Sequence, residues 1–384
     1  MENGATSLKS VVACVENGRV SAVRLKSLPL SDVTERDVAA WTELAGTAVE
    51  PNVFFEAPYV LAAHRALREP GVRLLVVADG DRWLAALPVR RVHRWHRMPL
   101  RVLGTWLHKY CYLGTPLVAA GREEEAARHL VRGLRPHGGP AALELLIADG
   151  PVMAALAGAF RSEGVATAVW DRYARASLDR RPQPDYIETT LRSKRRRELR
   201  RQRGHLAEAA GGGELTTADE SADPSAVDRF LALEASGWKG RSETALSAAH
   251  DDGFFRAVCD RLRAEGRLQL LALRSGDRTV AMKCNFAAGD GAFCFKIAHD
   301  EELGKFSPGV QLELDNVQVF HARPELRWMD SCADPNHPMI DRLWPDRRQL
   351  VSLLLAPRSL AGLPAWGQAR AAVELRRRMK ERTA

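Results

Sequence analysis

The sequence lacks any long hydrophobic run. In its 384 residues the apolar segments, such as residues 74–78 and 353–356, have the length of a β-strand. They fall well short of the ~18 consecutive apolar residues that span a bilayer. The N-terminal residues also lack the basic start and apolar core of a secretion signal. We therefore expect a cytoplasmic protein without a membrane-spanning segment.

Cysteine is scarce and scattered. The six cysteines include no Cys-x-x-Cys pair, which argues against a zinc site or a thioredoxin-like redox centre. We expect mostly buried, reduced thiols. The spacing of Asp334, His337 and Asp341 also gives too few converging ligands for a metal site. The sequence therefore predicts no metal cofactor.

Positive charge is concentrated in one segment. Residues Arg192–Arg203 read RSKRRRELRRQR, with eight bases and one acid, so this segment carries +7 of the net charge of +8. The rest of the chain is close to neutral, unlike a general nucleic-acid coat. Three interpretations remain open for the segment: a solvated helix, contact with RNA phosphates or an anionic surface, and support for an acidic donor such as a nucleotide.

The alternation of helical and strand patterns predicts an α/β fold in two halves. A domain boundary is predicted near Asp171–Asp185, where the stretch RRPQPD has two prolines and no apolar residue and is suited to a linker. We place a first domain at residues 1–175, a second at 186–357 and a basic helical tail at 358–384.

The second half contains the clearer signals. A long helix at Tyr186–Ala210 precedes two shorter helices and three successive strands joined by Gly-containing turns. A further helix begins at Pro308 and leads to a strand at Leu326–Ser331. This order predicts an antiparallel meander followed by a right-handed crossover. The N-terminus of the helix at Pro308 would then lie beside the end of the third meander strand.

The start of that helix is suited to an anion. In the sequence GKFSPGVQ, Ser307 is predicted to be the N-cap and Pro308 the first helical residue. Gly309 allows a ligand to approach the backbone, and the helix dipole and Lys305 favour negative charge. An ordinary capped helix is the alternative. The predicted binding residues are Lys305, Ser307, Gly309, Val310 and Gln311.

Three sequence blocks carry a family resemblance: LEASGWKG at 233–240, KIAHDEE at 296–302 followed by FSPG at 306–309, and DSCADPNHPMID at 330–341. They resemble the tandem acyltransferases of the GNAT superfamily, in particular the cellulose-biosynthesis (CelD-type) acetyltransferase-like group. All three blocks lie within the second half of the chain. The group is also similar to Fem-type peptidyltransferases.

This resemblance implies a fold and an activity. The fold would be two tandem GNAT-like domains, the first degenerate, each a mixed, mainly antiparallel sheet flanked by helices. The activity would be N-acyl transfer from acetyl-CoA or another acyl-CoA to an amine of a sugar, amino acid or small metabolite. The pocket near the break after the first block would bind substrate through Trp238 and Lys239.

Direct transfer to an amine requires a base that removes a proton from the ammonium. The candidates lie at the ends of the third meander strand and of the later strand. We predict catalytic roles for Asp300, Glu302, Asp330 and His337, and substrate contacts for His299 and Asp334. A Cys332–His337 nucleophile is disfavoured, because transfer from a thioester needs no covalent intermediate.

Two other functions remain open. The first is Fem-type transfer of an aminoacyl group from tRNA, which the basic segment and the single glycine of the anion loop favour. The second is a non-catalytic GNAT-fold partner in a polysaccharide-biosynthesis complex. Salt-sensitive tRNA binding would distinguish the first, and partner binding without acyl-CoA binding the second.

Overall fold

The computed structural model of the protein describes residues 14–16, 19–21, 23–135, 138–237, 245–247 and 249–383. Helices within these ranges are α1 Glu35–Gly46, α2 Ala57–Leu67, α3 Glu123–Leu134, α4 Pro151–Ser162, α5 Tyr186–Thr190, α6 Ser193–Ala209, α7 Ala226–Ser236, α8 Asp252–Ala264, α9 Pro308–Ala322, α10 Ile340–Leu343 and α11 Leu363–Thr383. Short 3-10 helices lie at Leu30–Asp32, Val53–Phe55, Glu301–Phe306 and Leu360–Gly362.

The strands follow the same chain order. They are β1 Cys14–Glu16, β2 Arg19–Ser21, β3 Val23–Pro29, β4 Val72–Asp79, β5 Arg82–Val92, β6 Val102–Thr105, β7 Leu117–Val118, β8 Ala141–Ile147, β9 Thr167–Asp179, β10 Leu215–Asp219, β11 Leu268–Ser275, β12 Arg278–Ala288, β13 Gly291–His299, β14 Trp328–Asp330 and β15 Asp346–Leu355.

The chain divides into two compact units. The first contains the described residues up to Val60, together with Glu69–Arg172 and the chain from Val351 onward, and the second contains Leu61–Arg68 and Tyr173–Leu350. Helix α11, which matches the predicted basic tail, thus groups with the first unit. The domain bounds 1–175, 186–357 and 358–384 stay a prediction.

In the second unit the strands lie in the order β10, β11, β12, β13, β14 and β9. Strands β10 to β13 are antiparallel, whereas β13 and β14 are parallel and are connected through α9. Gly276 and Gly289, both at positive φ, form the two tight turns of the meander. The predicted antiparallel meander and the crossover to a parallel strand are therefore confirmed, whereas the right-handedness of the crossover stays a prediction.

The first unit has a similar arrangement of strands. Its strands lie in the order β8, β6, β5, β4 and β3, and β7 pairs with β5. The neighbours β3 to β6 are antiparallel, whereas β6 and β8 are parallel and α3 lies between them in the chain. Each unit is therefore a mixed, mainly antiparallel sheet with helices, and the predicted fold class is confirmed.

The first part of the predicted boundary region Asp171–Asp185 is strand, and the proline-containing stretch at 180–185 that follows it is neither helix nor strand. Strand β9 continues to Asp179, and its residues 175–178 are buried. The charges of RYARASLD mask this strand in the sequence, because the charge of Arg175 is neutralised by Asp330, which lies far along the chain. The later strand is also shorter than predicted, since β14 covers only Trp328–Asp330.

Helix α9 is held on the sheet by buried polar groups. The Nζ of Lys283 on β12 lies 2.7 Å from Oε2 of Glu313. The Oε1 atom of Glu313 accepts from Asn316 at 2.9 Å and from Trp344 Nε1 at 3.1 Å. Asn285 Nδ2 donates to Asn316 Oδ1 at 2.9 Å. Because buried polar groups need specific partners, this network sets the position of α9 relative to β12.

Replacing Glu313 by leucine is expected to lower the free energy of unfolding by about 3–5 kcal/mol, because Lys283 would remain buried without its carboxylate. Urea unfolding at pH 7 measures this loss. The control is Glu302→Gln, which breaks an exposed ion pair with Arg278 and is expected to change stability little. Wild-type stability in Glu313→Leu would contradict the role given to the pair.

Candidate functional site

The site forms where two parallel strands separate. Strands β13 and β14 pair only from Gly291 with Trp328 to Phe293 with Asp330. A register shift against β12 then leaves Phe295 as an extra residue in β13. Such a bulge bends its strand and leaves a backbone group outside the ladder. The second half of β13 therefore diverges from the strand that follows α9.

The first turn of α9 closes one side of this region. Pro308 is the first helical residue, as predicted. Ser307 occupies the N-cap position, but the prediction of a side-chain cap is wrong: Ser307 is left-handed at φ 56° and its hydroxyl makes no cap bond. Its carbonyl instead accepts from the N–H groups of Val310 at 3.0 Å and Gln311 at 3.1 Å. Among the residues that the structure describes, the N–H of Gly309 has no hydrogen-bond partner, so it is the donor of this turn that remains for a ligand.

A cavity of about 380 Å³ lies beside this turn. The residues that line it come from α7, the end of β13, the loop before α9, α9 itself and the segment before α10. They are Leu233, Glu234, Gly237, Ile297, Ala298, His299, Glu301, Gly304, Ser307, Pro308, Gly309, Val310, His337 and Met339. Five predicted site residues, from three separate parts of the sequence, therefore meet at one cavity: His299, Ser307, Gly309, Val310 and His337.

The three acidic residues that follow β13, at positions 300–302, have two different arrangements. Asp300 accepts from Arg278 Nη2 at 2.5 Å and caps the backbone N–H of Glu302 at 3.0 Å. The side chain of Glu302 is 84% exposed and pairs with the same arginine. Glu301 is the member that lines the cavity. The structure therefore favours Glu301 over both predicted carboxylates as the group that can reach a substrate.

The two histidines that line the cavity have different surroundings. A Cβ placed on Gly309 would lie 3.9 Å from Nδ1 of His299, so this ring lies against the first turn of α9. The Nδ1 of His337 accepts from the backbone N–H groups of Met339 at 3.4 Å and Ile340 at 3.3 Å. An accepting Nδ1 places the proton of the neutral ring on Nε2. His337 is thus arranged as a hydrogen-bond donor more than as a base.

Asp330 lies outside the cavity in a buried ion cluster. Its carboxylate is within 2.7 Å of Arg175 and 3.0 Å of Arg348, and it accepts from Cys332 N–H at 2.9 Å. Burial alone would raise the pKa of Asp330, but the two guanidinium charges outweigh burial and hold its pKa below the ordinary value. This carboxylate is arranged to anchor the end of β14, and the geometry does not favour it as a proton acceptor.

Cys332 follows this cluster at φ 53°. Burial, with the nearby charge of Asp330, raises the pKa of its thiol well above the ordinary value. A protonated thiol is a poor nucleophile. The structure therefore supports the expectation that Cys332 forms no covalent intermediate.

The remaining predicted residues are dispersed. Lys305 is exposed, with its Nζ 4.9 Å from the ring centroid of Phe306. Gln311 is buried, and its side chain donates to the carbonyl of Leu199 on α6 at 3.0 Å, so its amide is arranged to hold helices together. Asp334 is exposed and does not line the cavity. Trp238 and Lys239 lie outside the described residues.

One cavity residue that the sequence analysis missed is Glu234. It is buried, and it accepts from Lys296 Nζ at 2.8 Å and from the N–H of Leu246 at 2.9 Å. Val227, Phe230 and Leu231 precede it at the spacing of one helix face. The sequence signal for Glu234 was its position on this apolar helix face. A carboxylate that is buried on such a face requires a specific partner.

The corresponding region of the first unit is filled by its own chain. Beyond the short pairing of β6 and β8, Gly114 N–H donates to Leu145 at 2.9 Å and Ile147 N–H donates to Thr115 Oγ1 at 2.9 Å. A Cβ on Gly114 would lie 2.0 Å from the carbonyl oxygen of Glu144. The first turn of α3 is acidic, with carboxylates at residues 123–125. Negative charge there disfavours an anionic ligand.

Within the ranges that the structure describes, His, Cys, Asp and Glu side chains form no group of three suited to a metal ion. No helix of these ranges has the length and apolarity needed to cross a membrane.

Comparison with known proteins agrees with this geometry. Residues 193–337 match the family model described as Acetyltransferase (GNAT) domain. The fold is similar to that of FemX, with a TM-score of 0.55 at 9% identity over 86% of this chain and 96% of that chain. It is similar to a conserved protein of unknown function from Bacteroides thetaiotaomicron, with a TM-score of 0.55 at 12% identity over 88% and 100% of the two chains. No curated protein sequence matches the chain.

The buried ion cluster generates a pH-dependent prediction. Asp330→Asn is expected to lower the free energy of unfolding by about 3–5 kcal/mol at pH 7, because two arginines lose their shared carboxylate. Since the pKa of Asp330 is lowered on folding, its contribution is complete above the unfolded value of ~3.9 and is lost as the pH falls below it. Urea unfolding of both proteins from pH 7 to pH 3 measures this. A stability difference that stays constant over that range would contradict the assignment.

Proposed function

We propose that this chain, an acyltransferase with a GNAT domain at residues 193–337, moves an acyl group from acyl-CoA to an amine by direct transfer. Acetyl-CoA is the first donor to test, and the acceptor is an amine of a sugar, amino acid or small metabolite. The observation that carries the proposal is the single cavity that joins the first turn of α9, the diverging end of β13 and Glu301. The resemblance to the CelD-type group adds cytoplasmic polysaccharide biosynthesis as the expected setting.

The contrast between the two crossover helices supports the placement of the donor. The first turn of α9 contains no acidic residue, whereas that of α3 contains three. A helix N-terminus attracts anions through its free N–H groups and dipole. The pyrophosphate of acyl-CoA would therefore contact the turn at Gly309. Its pantetheine arm would then follow the gap between β13 and the strand after α9.

The separation of β13 and β14 would provide hydrogen-bond donors for the thioester oxygen. The register shift at Phe295 lies next to the point where β13 and β14 separate. A fixed N–H group stabilises the negative charge that forms on a thioester oxygen during attack. The Nε2–H of His337 would be a second donor on the other side of the cavity.

Glu301 is the proposed general base. A Cβ on Gly237 would lie 3.1 Å from Oε1 of Glu301, so the carboxylate lies at the α7 side of the cavity. Glu301 takes a proton from the acceptor ammonium, the amine nitrogen bonds to the thioester carbon, and the carbon–sulfur bond breaks with its electrons on sulfur. The sulfur takes up the second proton that the nitrogen loses and leaves as the free CoA thiol, without a covalent enzyme intermediate. In this scheme Asp300 and Glu302 hold the loop through Arg278.

The acceptor would enter beside the end of α7. Glu234 and Lys296 form a charged pair there at 2.8 Å. Such a pair offers both an acceptor and a donor to a polar substrate. The next residues along the chain, Trp238 and Lys239, belong to the first of the resembling blocks, and we retain them as proposed substrate contacts.

A second candidate is Fem-type transfer of an aminoacyl group from tRNA. The similarity of the fold to FemX and the basic segment of α6 support it. The chemistry at Glu301 would be the same, because an amine attacks an activated acyl carbon in both reactions. Saturable binding of acetyl-CoA without salt-sensitive tRNA binding would exclude this candidate.

The donor site can be tested at Gly309. A Cβ there would make ordinary contacts, 3.6 Å from Ile297 and 3.9 Å from His299, so Gly309→Ala is expected to bind acetyl-CoA. Gly309→Glu places a carboxylate at the proposed phosphate position and is expected to raise the Kd by more than about tenfold. Gly309→Gln, of equal size but neutral, is the matched control. Calorimetry at ~0.15 M salt measures the Kd values, and equal Kd values for the Glu and Gln variants would reject a phosphate at this turn.

The base can be tested by comparing neighbouring carboxylates. Glu301→Gln is expected to lower kcat by about 10²–10⁴-fold, the range of general-base catalysis, while the Kd for acetyl-CoA stays unchanged. Glu302→Gln is the matched control and is expected to keep wild-type kcat. Release of the free CoA thiol in the presence of an accepted amine measures both. If Glu302→Gln were the slower enzyme, the base would be misassigned.

A further inference from the structure

The basic helix α6 is held in one orientation. Leu199 and Leu206 are its buried residues. Arg203 is bound on the same side, where its guanidinium lies 3.1 Å from Asp315 on α9 and donates to the carbonyl of Leu215 at 3.2 Å. These anchors fix the rotation of the helix, so each remaining cation has a defined direction.

The contacts between α6 and α9 also set their relative direction. Leu199 on α6 accepts from Gln311 on α9, and Arg203, one turn later, pairs with Asp315, one turn later on α9. From the first contact to the second, the chain advances by four residues on each helix. The two helices therefore run in the same direction. The residues of α6 that lie one turn before Leu199 are therefore level with the first turn of α9.

Arg196 occupies that level, on the flank of α6 next to α9. It lies seven residues, or two turns, before Arg203 and is thus on the same helix face. Arg192 and Arg200 continue this row at intervals of four residues. The row spans about 12 Å, at 1.5 Å per residue, which is the scale of the phosphates of a coenzyme nucleotide.

Charge supports an anionic occupant. Arg192 and Arg200 are exposed, and within the described chain neither has an acidic partner. Arg196 is half-buried and donates to Ser193 Oγ at 3.4 Å. By contrast, Lys194 and Arg201 lie roughly 160° and 140° around the helix from Arg196, on the exposed opposite face of α6. Both faces carry cations, but only the first borders the proposed donor site.

We propose that Arg192, Arg196 and Arg200 bind the nucleotide phosphates of the acyl-CoA donor and so determine its affinity. This inference rests on the proposed function, because it extends the same donor site from the first turn of α9 to α6. It assigns the basic segment to the coenzyme, in preference to a nucleic acid. Guanidinium groups suit this role, since they donate to phosphate oxygens in pairs.

Two double variants with equal loss of charge test the proposal. Arg196→Gln/Arg200→Gln is expected to raise the Kd for acetyl-CoA about tenfold, whereas Lys194→Gln/Arg201→Gln is expected to leave it within about twofold of wild type. Arg196→Lys/Arg200→Lys keeps the charge and is expected to recover most of the affinity. Calorimetry gives the Kd values, and urea unfolding verifies that each variant is folded.

The donor's own phosphates provide a second readout. Removing the 3′-phosphate, with acetyl-dephospho-CoA as the probe, is expected to weaken binding to wild type more than binding to Arg196→Gln/Arg200→Gln. If the wild type binds acetyl-CoA and all variants bind it equally, the inference is wrong while the proposed function stands. If the wild type binds no acetyl-CoA, both fail. If acetyl-CoA binding is unchanged and both Gln variants lose tRNA binding equally, the helix serves a nucleic acid and the inference is overturned.

Discussion

The position of helix α9 on its sheet is the constraint on which the candidate site depends. Its Glu313 is fully buried against Lys283, and Asn316 continues the network to Asn285. A buried ion pair contributes modestly to net stability, but a wrong register would leave a charge without its partner. The pair therefore acts mainly by excluding other positions of α9. The first turn of the helix, five residues before Glu313, is placed by the same contacts.

A second constraint acts where the strands separate. Asp330, the last paired residue of β14, is held by Arg175 and Arg348. This cluster ends the pairing with β13 and directs the following chain toward His337 at the cavity. Two residues with predicted chemical roles, Asp330 and Gln311, thus have positioning roles in the structure. Groups close to a reacting centre in sequence often support it without touching the substrate.

The two units show how one topology accommodates different uses. Each has a short parallel pairing followed by a divergence, and a crossover helix in between. In the second unit the space beside the helix is a cavity, whereas in the first unit residues around Gly114 fill the edge of β8. The two units also differ in charge, because the first turn of α3 is acidic. The likeness of fold therefore does not imply that both units bind a donor.

The sequence by itself determined the local structure. Pro308 indicated the start of α9, the Gly turns indicated the meander, and alternating element types indicated two α/β units, because these signals depend on residues close together in the chain. Tertiary structure decided which side chains meet. Glu301 and Glu302 are neighbours with the same chemistry, yet of the two only Glu301 lines the cavity, because adjacent residues of the 3-10 helix Glu301–Phe306 point in directions roughly 120° apart. The burial of Asp330 and the level of Arg196 beside α9 likewise depend on contacts with residues distant in sequence, which no local pattern specifies.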